Sequence, residues 1–325
     1  MNLTSRILLC LTPSITAKFN FSQLITLILF AVLHTQTHLA FSAEAAVPSY
    51  TLSGTEVIAT PTSRFSREYE VYVSLPRDYA STTKRYPVLY VTDAPYAFPI
   101  IRAITNRVQD HGVGLQSFIL VSLSYAKGES GRDSRNRDYT FDAPSTGKNH
   151  KCGRAMQGYG NVNDYSLFLT EDVIPLIEKR YRVDTTKRVY AGHSYGSLLG
   201  LHMLFQQPQL FSHYVLGSPS LWYGDHIAFA RKKEFAAKSK TLPAKVRFFI
   251  GSYETAKPNT HRYFTECDMV GDLNRFVAQL QGRKYKGLDV ESTTLNDEDH
   301  ATVFPALITR GLMWAFPVER TVASK

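Results

Sequence analysis

Two hydrophobic patterns follow one another along the chain. Residues 55–60 and 68–75 alternate polar and apolar side chains, which is typical of half-exposed antiparallel strands. From Tyr86 onward the apolar runs become continuous, at residues 87–92 and 118–123, and an amphipathic helical segment at residues 98–108 separates them. Continuous apolar strands joined by helices are typical of a buried parallel sheet.

The same alternation continues to the end of the chain. Further strands are predicted at residues 188–191, 213–217, 246–250 and 288–294. Helices are predicted at residues 167–181, where Pro175 should introduce a kink, then through Phe205, and at residues 227–237, 262–280 and 303–316. We therefore predict an α/β fold with a mostly parallel central sheet, helices on both faces and an antiparallel N-terminal edge.

Composition bounds the number of domains. The chain has 325 residues, of which 44% are apolar and 20% charged, so it can bury a large core. Residues 1–42 contain Arg6 and Lys18 but no acid, with an apolar run at residues 24–33, which predicts a signal peptide or N-terminal anchor. We expect a periplasmic or secreted protein with one domain at residues 43–325.

The charge balance narrows the range of partners. The formal net charge is +9, of which +7 lies beyond the leader. The basic residues are scattered among acids, which argues against a nucleic-acid site and favours a small, anionic substrate or simple solubility. Cys152 and Cys267 remain after export, and they could pair or stay as free thiols. Their spacing suits no metal site, and no cofactor is predicted.

One long segment interrupts the alternation of strands and helices. Residues 127–160 are rich in glycine and charge and poor in aliphatic side chains, so we predict an inserted loop. The segment follows the carboxyl end of a strand, where α/β sheets bind ligands. Arg132, Arg135 and Arg137 are therefore candidates for binding an anionic substrate, and local pairing with Asp133 and Asp138 is an equally weighted alternative.

The central chemical motif is Gly192-His193-Ser194-Tyr195-Gly196, between an apolar strand and an apolar helix. A G-x-S-x-G sequence in that context predicts the nucleophile elbow of an α/β-hydrolase fold, with Ser194 as nucleophile. Small neighbours let the strand end and the helix start approach each other. His193 is expected to point away from the nucleophile and to be structural.

A serine nucleophile needs a base and an orienting acid, which follow it along the chain in this fold. His300 comes after the last predicted strand and is the candidate base. Glu254 comes just after the strand at residues 246–250 and is the favoured acid. The alternative acids are Asp225, Asp268 and Asp299.

An oxyanion hole requires two backbone N–H groups, one after the nucleophile and one after the first parallel strand. The sequence places them at Tyr195 and Ala94. Donors of this kind each stabilise a transition state by roughly 2.7 to 4 kcal/mol.

Four stretches of sequence carry a family resemblance. They are Arg137-Asp138-Tyr139-Thr140, Gly192-His193-Ser194-Tyr195-Gly196-Ser197, Ser218-Pro219-Ser220-Leu221-Trp222 and His300-Ala301-Thr302-Val303. Together they resemble the Putative esterase family of α/β-hydrolases, which includes the enterochelin and salmochelin esterases and, more distantly, S-formylglutathione hydrolase. The resemblance implies a Ser-His centre with Trp222 near the acyl pocket. Some exported relatives work with a weak or missing third catalytic residue, so the resemblance leaves open whether Glu254 is the acid.

These observations predict an exported serine hydrolase that cleaves carboxylic esters through an acyl-enzyme. By resemblance, the specific expectation is a ferric catecholate siderophore trilactone esterase. A general carboxylesterase and a non-catalytic binding protein on a hydrolase scaffold are the alternatives. The sequence does not determine the oligomeric state.

Overall fold

The computed structural model describes residues 49–61, 65–110, 114–142, 159–257, 261–262 and 267–318. The predicted leader at residues 1–42, Cys152 and residues 143–158 of the inserted segment lie outside the described residues.

The centre of the fold is an eight-stranded sheet with the strand order β1-β2-β4-β3-β5-β6-β7-β8. Its strands are β1 (Thr55–Ala59), β2 (Glu70–Ser74), β3 (Tyr86–Val91), β4 (Ile119–Leu123), β5 (Val183–His193), β6 (His213–Gly217), β7 (Lys245–Gly251) and β8 (Asp289–Leu295). β1 and β2 pair antiparallel, β2 joins β4 antiparallel, and the remaining neighbours are parallel. The predicted α/β-hydrolase fold with an antiparallel N-terminal edge is confirmed.

The helices of the described residues connect these strands. They are α1 (Ala94–Asp110), α2 (Gly131–Asp138), α3 (Val162–Phe168), α4 (Ile174–Arg180), α5 (Tyr195–Gln206), α6 (Tyr223–Lys238), α7 (Met269–Gly282) and α8 (Val303–Ala315). None of these described helices is long and apolar enough to cross a membrane.

Both faces of the sheet are covered, because successive side chains of a strand point to opposite faces. In β3, Leu89 and Val91 belong to a hydrophobic cluster that also contains residues of α1 and α8. Val88 and Tyr90 of the same strand belong to the other cluster, with residues of α3, α5 and α7. Every residue of β3 is therefore buried, which explains its continuous apolar sequence.

Three segments differ from the prediction. The helix predicted from residue 262 begins at Met269, because the side chain of Asp268 caps it by accepting a hydrogen bond from Gly271 N at 2.9 Å. The inserted segment, predicted as a loop, contains α2, and the side chain of Ser130 caps the start of this helix. The irregularity expected at Pro175 takes the form of a π-helical turn at Leu169–Val173, immediately before α4. Proline lacks the N–H that a continuing α-helix would use, so the regular ladder is interrupted there.

A buried histidine is expected to make the stability of the fold depend on pH. His202 in α5 is buried and lies 3.2 Å from Ser166 Oγ through its Nε2. Burial, followed by the charge of Arg231, lowers the pKa of His202 to about 4. The folded state therefore keeps this ring neutral while the unfolded chain takes up a proton below its ordinary pKa of about 6.5.

We expect the free energy of unfolding to fall as the pH drops from about 6.5 to 4, by up to about 3 kcal/mol from this residue alone. Urea unfolding of the wild type and of His202→Gln at pH 7 and pH 4.5 measures the effect. The glutamine variant should lose less stability between the two pH values. An identical loss in both proteins would contradict the assignment to His202.

Candidate active site

Ser194 occupies a strained turn between β5 and α5. Its backbone has φ 60° and ψ −117°, a conformation that non-glycine residues rarely adopt, and its N–H donates to Gly217 O at 2.9 Å. A Cβ at Gly192 would collide with the carbonyl of Gly196, and one at Gly196 would collide with Thr92 Oγ1. The two glycines therefore permit the close approach that the elbow prediction requires, and Ser194 itself is 8% exposed.

The predicted site residues follow neighbouring parallel strands. Ser194 comes after β5, Glu254 after β7 and His300 after β8, and β6 lies between β5 and β7. The carboxyl ends of parallel strands meet at one edge of a sheet, where α/β folds bind their ligands. Residues far apart in sequence thus come to the same edge.

The carboxylate of Glu254 contacts the imidazole of His300. Glu254 Oε2 lies 2.7 Å from His300 Nδ1, and both side chains are buried, with Glu254 completely so. A carboxylate only accepts hydrogen bonds, so Nδ1 carries the proton and Nε2 is left as the basic nitrogen. The other oxygen, Glu254 Oε1, accepts from Ser218 Oγ at 2.6 Å and from Gly251 N at 2.8 Å.

The alternative acids have other contacts. Asp268 caps α7, as described above. Asp299 accepts hydrogen bonds from the backbone N–H groups of Ala301 and Thr302, at 2.8 and 3.1 Å. Asp225 lies in the first turn of α6, with φ 58°. The geometry therefore favours Glu254 as the acid, and its catalytic role stays a prediction.

His193 lies against the predicted base. Its ring centroid is 4.7 Å from that of His300. Burial, then the neighbouring His300 and Arg135, hold the pKa of His193 well below its usual range. A neutral ring in this position packs against His300 without adding a second positive charge, which agrees with the structural role expected for His193.

The predicted oxyanion donors begin two helices. Ala94 is the first residue of α1 and Tyr195 the first residue of α5. First-turn N–H groups have no acceptor inside their own helix, so they are available to a developing oxyanion. Thr92 and Asp93 pack against Gly196, which brings the loop of Ala94 to the elbow.

Asp93 anchors that loop. Its carboxylate is fully buried and its φ is 62°. Oδ1 accepts from Tyr125 Oη and from Arg135 Nε, each at 2.8 Å. Arg135 Nη2 also donates to the carbonyl oxygen of His193 at 3.4 Å, and its guanidinium lies 5.4 Å from the ring centroid of Tyr195. Arg135 therefore links the loop before Ala94 to the turn before Ser194.

Replacing Arg135 by glutamine should leave the buried Asp93 charge without its cation. We expect a loss of about 3 kcal/mol in the free energy of unfolding, since breaking a buried pair leaves an uncompensated charge. Arg132→Gln is the matched control, because Arg132 is exposed on the same helix, and its change should stay within about 0.5 kcal/mol. Urea unfolding curves measure both variants, and equal stabilities would refute the anchoring role.

The three arginines of the inserted segment differ in whether they form ion pairs. Arg137 donates to Asp138 Oδ1 at 2.9 Å and also contacts Glu129. This contact favours local pairing for Arg137, whereas Arg135 pairs with Asp93, a distant carboxylate that the sequence did not suggest. Arg132 remains exposed. Substrate binding by these side chains stays a prediction.

Two serines at the site were not singled out from the sequence. Ser220 Oγ lies 3.1 Å from Ser194 Oγ, and Ser218 Oγ donates to Glu254. Both are buried and follow β6. Trp222 packs its ring 6.1 Å from that of Tyr195. The Ser218–Trp222 motif, quoted above only for resemblance, was the available signal.

Two other predictions concern cysteine and metal. Cys267 is disulfide-bonded. Cys152 lies outside the described residues, so its pairing with Cys267 stays a prediction. Within the described residues, no group of three or more His, Cys, Asp or Glu side chains is arranged to hold a metal ion.

Comparisons with known proteins identify similar esterases. The family model described as Putative esterase matches residues 62–266. Ferri-bacillibactin esterase BesA of Bacillus subtilis (strain 168) is 26% identical over 273 residues, which cover 82% of this chain and 91% of that protein. Apo-salmochelin esterase of Escherichia coli O6:H1 is 28% identical over 253 residues, covering 76% and 74%.

Solved structures show the same architecture. The crystal structure of the BES protein from Bacillus cereus matches with a TM-score of 0.70 at 25% identity, covering 84% of this chain and 100% of that chain.

Proposed function

Since the chain belongs to the Putative esterase family and is a carboxylic ester hydrolase, we propose that it works as a serine esterase on siderophore trilactones. The observation that supports the mechanism is the 2.7 Å contact between Glu254 and His300, at the sheet edge that also bears the strained Ser194. The relatives named as siderophore esterases support the substrate class.

In the proposed reaction, Ser194 Oγ attacks the ester carbonyl while His300 Nε2 takes its proton. Glu254 holds the ring in the Nδ1–H tautomer and stabilises the imidazolium that forms. The N–H groups of Tyr195 and Ala94 stabilise the oxyanion. His300 then protonates the leaving alcohol, and a water molecule activated by the same ring hydrolyses the acyl-enzyme.

The substrate that fits best is an anionic ferric catecholate trilactone. The folded part of the chain is basic, and Arg132 is exposed on α2, close in sequence to Arg135 at the site. Recognition of the anion by this cation would add to the binding of the ester itself.

A general carboxylesterase is the second candidate. The specific observation in its favour is that Arg135 and Arg137 are already paired with carboxylates. Only Arg132 of the three predicted binding arginines is then left exposed, so recognition of an anion would rest on fewer cations than the sequence suggested.

A panel of esters tests both candidates. Purified protein is incubated with ferric and iron-free catecholate trilactones and with small neutral esters, and the products are identified by mass spectrometry. Higher kcat/KM for the trilactones supports the proposal, and cleavage of the neutral esters alone supports the general carboxylesterase. Failure of a fluorophosphonate probe to label Ser194 would contradict the serine mechanism.

We also propose that the protein acts in the periplasm or outside the cell. The leader composition supports this location. Fractionation of cells that express the full chain, followed by N-terminal sequencing of the product, tests it. A cytoplasmic product that keeps its first residue would contradict the proposal.

A further inference from the structure

A groove of about 750 Å³ lies between α6 and α7, away from the proposed catalytic residues. Its apolar surface comes from Phe229, Ala236 and Ala237, and none of Ser194, Glu254 or His300 lines it. A volume of this size is in the range that holds small organic ligands. The groove is therefore separate from the proposed site of ester hydrolysis.

A buried amine lines this groove. Lys232 is only 6% exposed, and its Nζ lies 4.8 Å from the ring centroid of Phe229 and 4.5 Å from that of Phe276. Its hydrogen-bond partner is the neutral side-chain oxygen of Gln279, and no ion pair joins it to a carboxylate of the described residues. Lysine is seldom buried to this degree unless it is paired with an anion.

A second polar atom in the same groove has no partner. Tyr285 lines the groove and is 5% exposed, and its Oη is buried without a hydrogen bond in the described part of the chain. Buried hydroxyl groups are usually hydrogen-bonded, so this one, unlike the Lys232 ammonium, lacks an expected partner. Both side chains line the same groove, and an anionic oxygen is a partner that suits an ammonium and a hydroxyl alike.

The charges of the lining residues favour an anionic ligand. Lys233 and Arg283 add two cations to that of Lys232, and no carboxylate is among the described lining residues. Cations without counter-charges attract anions. Burial without an anion also lowers the pKa of Lys232 to about 8, which reflects the cost of keeping the charge there.

We propose that the groove between α6 and α7 binds a small apolar monocarboxylate, with Lys232 and Tyr285 holding the carboxylate. Phe229 and the alanines contact the apolar body, and Lys233 and Arg283 attract the anion from solution. The proposal goes beyond ester hydrolysis and does not depend on which ester is cleaved.

Binding of 2-naphthoate and of decanoate by isothermal titration calorimetry tests the proposal. The two probes share the carboxylate and differ in whether the apolar body is a ring or a chain. Their uncharged amides are the ligand controls. We expect at least one carboxylate to bind at least about tenfold more tightly than its amide, since a charged acceptor makes a stronger hydrogen bond with an ammonium than a neutral amide oxygen does.

Lys232→Met should lower carboxylate affinity at least about tenfold, and Tyr285→Phe should lower it by a smaller factor. Lys238→Met, at the exposed end of the same helix, is the matched control and should bind as the wild type does. Methionine keeps the stem of Lys232 and removes a buried charge, so the variant should fold, and unchanged hydrolysis of a small ester verifies this.

Three results would overturn the proposal. They are equal affinity for carboxylate and amide, unchanged carboxylate affinity in Lys232→Met, and absence of binding to either carboxylate at about 5 mM, a concentration that detects even millimolar affinity.

Discussion

Ser194→Ala is expected to reduce ester hydrolysis by about 10⁴- to 10⁶-fold, and His300→Ala by a similar factor. Neither the nucleophile nor the base works without the other, because the serine hydroxyl is a weak nucleophile until the imidazole takes its proton. The double variant should therefore be about as slow as either single variant. Single-turnover kinetics on one soluble ester measure all three.

Thermal unfolding provides the control for these variants. Ser194 and His300 belong to a turn and a loop at the sheet edge, so both variants should keep the fold. A double variant far slower than either single one would mean that the two side chains act separately. In that case the Ser-His mechanism would be wrong, although the chain would remain an ester hydrolase.

Glu254→Gln is expected to lower kcat by about 10² to 10⁴, less than loss of His300. The side chain keeps its shape, but its amide group can face His300 Nδ1 and favour the other tautomer. The ring would then carry its proton on Nε2 and could not accept one from Ser194. Steady-state kinetics across a range of pH values measure the loss.

Asp268→Asn is the matched control for Glu254→Gln. Asp268 was an alternative acid, and asparagine caps a helix about as well as aspartate, so this variant should retain its kcat. Normal turnover in Glu254→Gln would instead indicate a Ser-His dyad. Loss of turnover only in Asp268→Asn would move the acid to that residue.

Much of the fold followed from local sequence patterns. The six residues of β3 are all buried and the predicted strand at His213–Gly217 has the observed bounds, because buried parallel strands require continuous apolar side chains. The elbow also followed from local sequence, since its glycines act on their immediate neighbours. The position of Glu254 after β7 suggested the carboxylate that the structure places on His300.

Contacts between distant segments did not follow from the sequence. Arg135 suggested pairing with its neighbours on α2, yet its carboxylate partner is Asp93, 42 positions earlier. The contact of Ser220 with Ser194 depends on the packing of β6 beside β5. The hydrophobic pattern of the sequence does not predict contacts of this kind, because each of these polar residues could also contact its neighbours along the chain. The groove at Lys232 likewise arises from the packing of two helices.

The strand order has a consequence for folding. His300, the predicted base, follows β8, which pairs with β7 at the edge of the sheet, and Glu254 follows β7. Intermediates in which β1 to β6 have already assembled would contain the elbow and the loop of Asp93 but would lack both members of the His300–Glu254 contact. The proposed catalytic centre therefore requires the pairings of β7 and β8, so recovery of activity on refolding would require these C-terminal pairings in addition to the helices.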